Sequence, residues 1–495
     1  MDSPSKPGRR PDDIGENTSY GTRAHQRDPE RTAMTTPSHG IPRRRFLRSA
    51  GAGAGLGAVL AGDVRARGSQ ASARVAAGHA KNVILLIADG MGLGTITLGD
   101  MYSRMTRSRR LHWMDLLNDP RVRTGLCDTQ SADGLVSDSA ATASAWSIGE
   151  RVNNGAICFT PDGREPAPVM ARAVARGMAC GLVTTSSLTD ATPACMYANA
   201  PKRNMGDEIG QQLRESGVSV MLGGGRSTLN PIFASTPDSG CVIVRTREEL
   251  MAHAATDSQR LLGLFGSSYV PYVLDRRPET PSLMEMSRVA ISRLAANEQG
   301  FMLQIEAGRV DHAAHANDAA SLVHEMMEFD DVAGWVASWA LDRGDTLVII
   351  TTDHANANPG LTLYGQTGDR AFERLRGVKR SFEWIFREFD RGKEAADDPA
   401  ALMGSLVHEA TGIELRPEDL RDYVDGALKH PFRTAGTRTG LLGALLANHF
   451  GVAFLSPNHT SDFVLVSALG PGSTLLPGFH HNTQLHDVIV SALGW

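Results

Sequence analysis

Three apolar runs of strand length in this chain each end at an acidic residue, and that pattern constrains the fold more than any other feature. Asn82-Val83-Ile84-Leu85-Leu86-Ile87-Ala88 leads into Asp89-Gly90-Met91-Gly92, Phe301-Met302-Leu303-Gln304-Ile305 into Glu306, and Thr346-Leu347-Val348-Ile349-Ile350-Thr351-Thr352 into Asp353-His354. Continuous apolar runs suit strands covered on both faces, as in a parallel sheet with helices above and below. A carboxylate just past such a strand lies at the C-terminal sheet edge, where open α/β sheets bind ligands. Residues 180–185 and 218–222 are further strand-like runs, and 169–175 between the strands has helical character. The expected fold is therefore α/β, a doubly wound, mostly parallel central sheet flanked by helices. With 495 residues, 41% of them hydrophobic, the chain can bury a core of that size.

The first eighty residues read differently. Residues 1–40 are polar, rich in Pro, Arg and Asp, and lack an apolar face, so a disordered extension is expected. Over 41–73, Arg43-Arg44-Arg45-Phe46-Leu47-Arg48 precedes a weakly apolar Gly/Ala-rich run and Ala71-Ser72-Ala73, the pattern of a twin-arginine export signal. The protein is thus expected to be exported, periplasmic or extracellular. Arg48 and the glycines interrupt the roughly 20 apolar residues that a permanent membrane span requires, so none is expected. A net charge of −5 gives no electrostatic basis for nucleic-acid binding, and no such module is expected. The five cysteines, Cys127, Cys158, Cys180, Cys195 and Cys241, include no close pair of metal-site type, and their pairing stays open.

Several segments carry chemistry. Asp138-Ser139 followed by Ala140-Ala141-Thr142-Ala143 reads as a serine presented at a helix N-terminus, where backbone N–H groups and the helix dipole favour an anion. Ordinary helix capping is the competing reading of that pair taken alone. In Glu306-Ala307-Gly308-Arg309-Val310-Asp311-His312-Ala313-Ala314-His315, a helical end puts Asp311 and His315 on one face, suited to one metal ion. His459 sits in a polar loop before a strand expected at 463–468, and a helix over 483–493 closes the chain. If the sheet is parallel, Asp89, Glu306, Asp311 and Asp353 gather with His315, His354 and His459. Each close pair of carboxylates would repel by roughly 4 kcal/mol at an effective dielectric near 20. Divalent metals remove that cost, zinc suiting mixed oxygen and imidazole sets and magnesium an all-oxygen one.

Residues 360–450 have another texture. Phe372, Leu375, Val378, Phe382, Ile385 and Phe389 recur at helical spacing and predict an amphipathic helix, with further helices at 401–410, 417–428 and 439–450. This is expected to be a helical insertion near the active site, within a catalytic domain spanning 81–495.

The segments at Asp89, Asp138-Ser139, Asp190-Ala191-Thr192-Pro193-Ala194 with Arg203-Asn204, Glu306 to His315, Thr352-Asp353-His354 and His459-Thr460 together, in that order, resemble the alkaline phosphatase family. The resemblance covers 81–495 outside the insertion. It implies hydrolysis of small-molecule phosphate monoesters through a phosphoserine, releasing inorganic phosphate and an alcohol, with two zinc ions and one magnesium per chain. Asp311, His315 and His459 would bind one zinc, and Asp89, Asp353 and His354 the other. Asp89 would also bridge to magnesium held with Thr192 and Glu306. Ser139 is implied as the nucleophile, Asp138 as the cap that aims it, Arg203 as the phosphate clamp and Asp190 as the group orienting water on magnesium. His312 occupies a position that varies in the family and tunes phosphate release, Asn199 stands where the family often has His, and a homodimer is expected. The competing readings are a phosphodiesterase or sulfatase with the same metal frame, or a non-catalytic metal- or phosphate-binding relative. Ala140-Ala141 after Ser139 lack the Cys/Ser-x-Pro-x-Arg context of a sulfatase.

Overall fold

The computed structural model describes residues 79–234, 240–255 and 259–495, so the extension and the export signal expected over 1–73 lie outside the described residues. The central sheet consists of β1 (Asn82–Ile87), β2 (Val122–Asp128), β3 (Ala179–Ser187), β4 (Val220–Gly224), β5 (Cys241–Val244), β6 (Arg260–Leu264), β7 (Phe301–Glu306), β8 (Thr346–Thr351), β9 (Val464–Leu469) and β10 (Phe479–His481). Their order across the sheet is β10-β2-β9-β8-β1-β7-β3-β4-β6-β5. The three runs that end at carboxylates are therefore neighbours. β1 lies parallel between β8 and β7, with Ile87 in register with both Thr351 and Glu306, so all three acidic ends emerge at one level.

Both faces of β1 are covered, as its sequence requires. Ile84 and Leu86 enter one core with Ile96 and Leu98 of α1 (Leu93–Arg107), while Val83, Leu85 and Ile87 enter the other with Ala140 and Trp146 of α2 (Ser139–Ile148). Each such buried aliphatic stabilises the fold by about 2 kcal/mol, enough in aggregate to hold the polar edge rigid. The layers are completed by the short α3 (Ala191–Ala194), by α4 (Arg309–His315) directly after β7, and by α5 (Ala319–Arg343), whose buried residues join the same core as α1. Among the described residues no helix is long and apolar enough to cross a membrane.

The sheet is mixed, and one strand's direction matters. β9 runs antiparallel to both β8 and β2. Its N-terminal end thus shares the edge where the parallel strands have their C-terminal ends, and there His459 and Thr460 pair with Asn356 and Ala355, just past β8. His459 reaches the carboxylates because the strand that follows it, β9, runs the other way.

The apolar spacing from Phe372 to Phe389 does not form one helix. Gly365–Glu373 is helical, a 3₁₀ turn covers Arg374–Gly377, and α6 (Phe382–Gly392) begins afresh. Gly377 ends the first piece, and the Ser381 hydroxyl accepts from Trp384 N at 3.1 Å, capping the second. The helix expected over 417–428 stops at Val424, where Gly426 takes the left-handed φ of 70° that an L side chain avoids. The helices Pro399–Thr411 and Arg438–Phe450 follow the sequence expectation closely.

Candidate active site

Three groups of donors meet at this edge. In the first, His315 Nδ1 lies 2.6 Å from the Pro457 carbonyl and His459 Nδ1 lies 2.8 Å from the Ser137 carbonyl. A carbonyl only accepts, so each Nδ1 carries a proton and each Nε2 is the ligating nitrogen. The two Nε2 atoms face each other at 3.0 Å. Asp311 closes the group, 3.2 Å from His315 Nε2 and 3.8 Å from His459 Nε2. Burial works to lower His315, but the Asp311 charge carries it up to about 9, while burial and the charge on His354 push His459 down to about 4. One proton is left between two facing nitrogens, a place that a divalent cation suits better, and the two imidazoles and a carboxylate match zinc.

In the second group His354, fully buried, points Nε2 at Asp353 Oδ2 (3.1 Å), Asp89 Oδ1 (3.8 Å) and Ser139 Oγ (3.1 Å). Asp89 Oδ1 and Asp353 Oδ2 are buried and accept no hydrogen bond. Burial first, then the charges of Asp353, Asp311 and Glu306, drive Asp89 well above the usual carboxylate range. Orphaned buried acceptors under mutual repulsion fit a cation between them. Gly90 permits this crowding. Its N–H donates to Asp353 Oδ1 at 3.0 Å, its φ is 67°, and a Cβ there would lie 2.3 Å from Asp311 Oδ1. Gly90→Ala is expected to lower Tm by about 5 °C, since left-handed strain of about 1–2 kcal/mol adds to a displaced Asp311. Thermal melts together with metal analysis check it, with lower metal content the companion result.

The third group is all oxygen. Thr192 Oγ1 on α3 donates to Asp89 Oδ2 at 3.3 Å, and Glu306, lifted to about 8 chiefly by burial, accepts from Thr184 Oγ1 at 2.6 Å. Such a set suits magnesium.

Beside these groups α2 starts at Ser139, with Asp138 as its extended N-cap accepting from Ala141 N at 3.0 Å. Asp138 therefore caps the helix as expected, and its Oδ2 also accepts from Arg203 Nη1 at 3.1 Å. Arg203 Nη2 donates to Asp190 Oδ1 at 2.9 Å. Burial opposes the charge on Arg203, yet Asp190 and Asp138 hold its pKa above the ordinary guanidinium value. A planar cation is thereby aimed beside Ser139 by the capping carboxylates of two helices.

The residues singled out from the sequence thus converge, and Asn199 stands apart. Its amide donates to the carbonyls of Cys158 (2.6 Å) and Pro166 (3.0 Å), so it ties two loops together. Three supporting residues were given no role from the sequence. Asn356 Nδ2 donates to Asp311 Oδ1 at 2.7 Å, Thr184 braces Glu306, and Arg309 Nη1 donates to His312 Nδ1 at 2.9 Å.

An α/β sheet that gathers buried carboxylates and imidazoles around a serine at a helix N-terminus defines a metal-binding enzyme. The alkaline phosphatase family model matches residues 80–495, and the chain belongs to the alkaline phosphatase family. It is a phosphatase. Alkaline phosphatase 4 of Bacillus subtilis (strain 168) is 29% identical over 435 residues, which span 83% of this chain and 88% of that protein. Alkaline phosphatase 4 of Drosophila melanogaster is 31% identical over 472 residues, 83% of this chain and 76% of that protein. The crystal structure of Thermus thermophilus alkaline phosphatase superposes with a TM-score of 0.78 at 29% identity, covering 88% of this chain and 96% of that one.

Proposed function

We propose that this phosphatase is an exported enzyme that hydrolyses small-molecule phosphate monoesters through a phosphoserine on Ser139, with two zinc ions and one magnesium. The observation that carries the reading is the position of Ser139 Oγ, 3.1 Å from His354 Nε2 at a helix N-terminus whose cap holds Arg203. Asp311, His315 and His459 would hold one zinc, Asp89, Asp353 and His354 the other, and Asp89, Thr192 and Glu306 the magnesium. When bound, these ions supply Lewis-acid stabilisation of charge on the attacking and leaving oxygens. Ser139 Oγ forms a bond to phosphorus as the alcohol oxygen leaves in line, and water then cleaves that Ser139 O–P bond to release inorganic phosphate. Arg203 binds two non-bridging oxygens throughout, while α2 directs free backbone N–H groups at the same anion. Asp190 would hold Arg203 on one side and orient water near the magnesium ligands on the other.

Aryl phosphate monoester, diester and sulfate offered to the mature protein test the reading. The expected order is monoester far above both others, and a faster diester or sulfate would reassign the enzyme within its superfamily. Arg203→Ala is expected to raise the inhibition constant of inorganic phosphate by about tenfold or more, the loss of a charge-assisted bidentate contact, without changing metal content. Export by the Arg43-Arg44 signal, a homodimer, and an insertion spanning 360–450 complete the proposal. N-terminal sequencing of secreted protein and light scattering address the first two.

A further inference from the structure

Gln304 is a buried amide that the donor groups above do not use. It lies on β7 two residues before Glu306 and is 1% exposed. Its in-register neighbours are Leu85 on β1 and Leu182 on β3, both members of one apolar layer. Side chains two apart on a strand share a face, so Gln304 projects from the sheet on the same side as Glu306. Its Nε2 donates to the Thr192 carbonyl at 3.1 Å, while its Oε1 is buried and accepts no hydrogen bond among the described residues. For stability alone this is a poor choice, because an apolar side chain of the same size would leave no buried acceptor unpaired.

What the amide holds accounts for it. α3 is one turn long, too short to keep its own shape, and Asp190 secures its start by accepting from Ala191 N at 2.8 Å and from Ser186 Oγ at 2.6 Å. In the turn that follows, Cys195 N–H donates to the Ala191 carbonyl at 3.0 Å and Met196 N–H to that of Pro193 at 3.1 Å. The Thr192 carbonyl takes its donor from Gln304 instead. On the same residue Oγ1 reaches Asp89 Oδ2 at 3.3 Å. β7 therefore fixes two members of the all-oxygen set, carrying Glu306 itself and holding Thr192 by its backbone.

We propose that Gln304 is a positioning residue whose Nε2 anchors the Thr192 backbone and so holds Oγ1 at the spacing from Asp89 and Glu306 that a magnesium ion requires. The proposal rests on the magnesium reading of that set. Magnesium demands near-ideal octahedral geometry, so a Thr192 free to shift loses affinity for it.

Calorimetric titrations of magnesium into the zinc-loaded protein test this without reference to turnover, comparing wild type, Gln304→Met, Thr192→Val and the double variant. Gln304→Met is expected to raise the magnesium Kd about three- to tenfold, the effect of one lost hydrogen bond. Its Tm in chelator should stay at or above that of wild type, since an unbranched thioether suits the apolar layer. Thr192→Val removes the hydroxyl and keeps the carbonyl, and in that background Gln304→Met should weaken magnesium no further. Gln304→Asn keeps an amide that falls one methylene short of the carbonyl; it carries the same expectation and serves if Gln304→Met fails to fold. A Kd raised by Thr192→Val but unchanged by the Gln304 variants, or raised by them equally with and without the Thr192 hydroxyl, would overturn the proposal and leave the magnesium reading standing. Magnesium binding indifferent to both Thr192→Val and the Gln304 variants would overturn that reading and the proposal with it.

Discussion

Ser139→Ala is expected to reduce kcat on an aryl phosphate by about a thousandfold or more, because it removes the atom that bonds to phosphorus and leaves everything around it in place. Ser139 is 4% exposed, and among the described residues its hydroxyl has one hydrogen-bond partner, His354 Nε2 at 3.1 Å. Alanine fits the same space and suits the first turn of a helix. The cap survives, since Asp138 rather than Ser139 accepts from Ala141 N, and Arg203 keeps both of its carboxylates. Tm, metal content and phosphate binding should therefore stay near wild type while turnover collapses. Acid quenching during turnover should trap protein-bound phosphate in wild type and none in the variant. Turnover within a few fold of wild type would remove Ser139 as the nucleophile.

Much of this site was legible because apolar strands announce their own ends. β8, β1 and β7 are six buried residues each, so their boundaries and the acids beyond them could be read directly. Local pattern does not carry what depends on adjacency. β2 is half exposed and contains Arg, Thr and Gly, so it makes no apolar run, and yet it lies beside β9 and its direction helps set the path to His459. Nothing near His459 signals that β9 runs antiparallel. Asn356 reads as an ordinary turn residue until Asp311, 45 positions earlier, is found against its amide. Thr184 reads as one more strand threonine until β3 is placed beside β7, in register with Glu306. Arg309 lay inside a recognised segment, but its ion-pair partner, Glu383, stands in a helical region whose breaks at Gly377 and Ser381 the apolar spacing concealed.

Metal removal should have the second large effect, and its pH dependence follows from the same crowding. Chelation is expected to lower Tm by about 10 °C, the result of losing ligands that each contribute about 4 kcal/mol when present at a thousand times Kd. The metal-free protein must then keep Asp89, Glu306, Asp311 and Asp353 together unaided. Glu306 is raised to about 8, so its folded state favours the proton, and that stability is lost as pH rises from its unfolded value through 8. His315, raised to about 9, loses stability over pH 6.5 to 9 in the same direction. His459, lowered to about 4, is neutral in the folded state there, and the opposite slope from its unfolded form is spent by about one unit above 6.5, so it offsets the fall only at the lower end of the window. The Tm of chelated protein should therefore fall between pH 6.5 and 9 while the loaded protein changes little, so the gap widens with pH. Parallel melts of both forms at several pH values measure it. A gap that stays constant would mean that the carboxylates do not share the buried edge, because separate, solvated acids titrate well below this range in folded and unfolded chains alike.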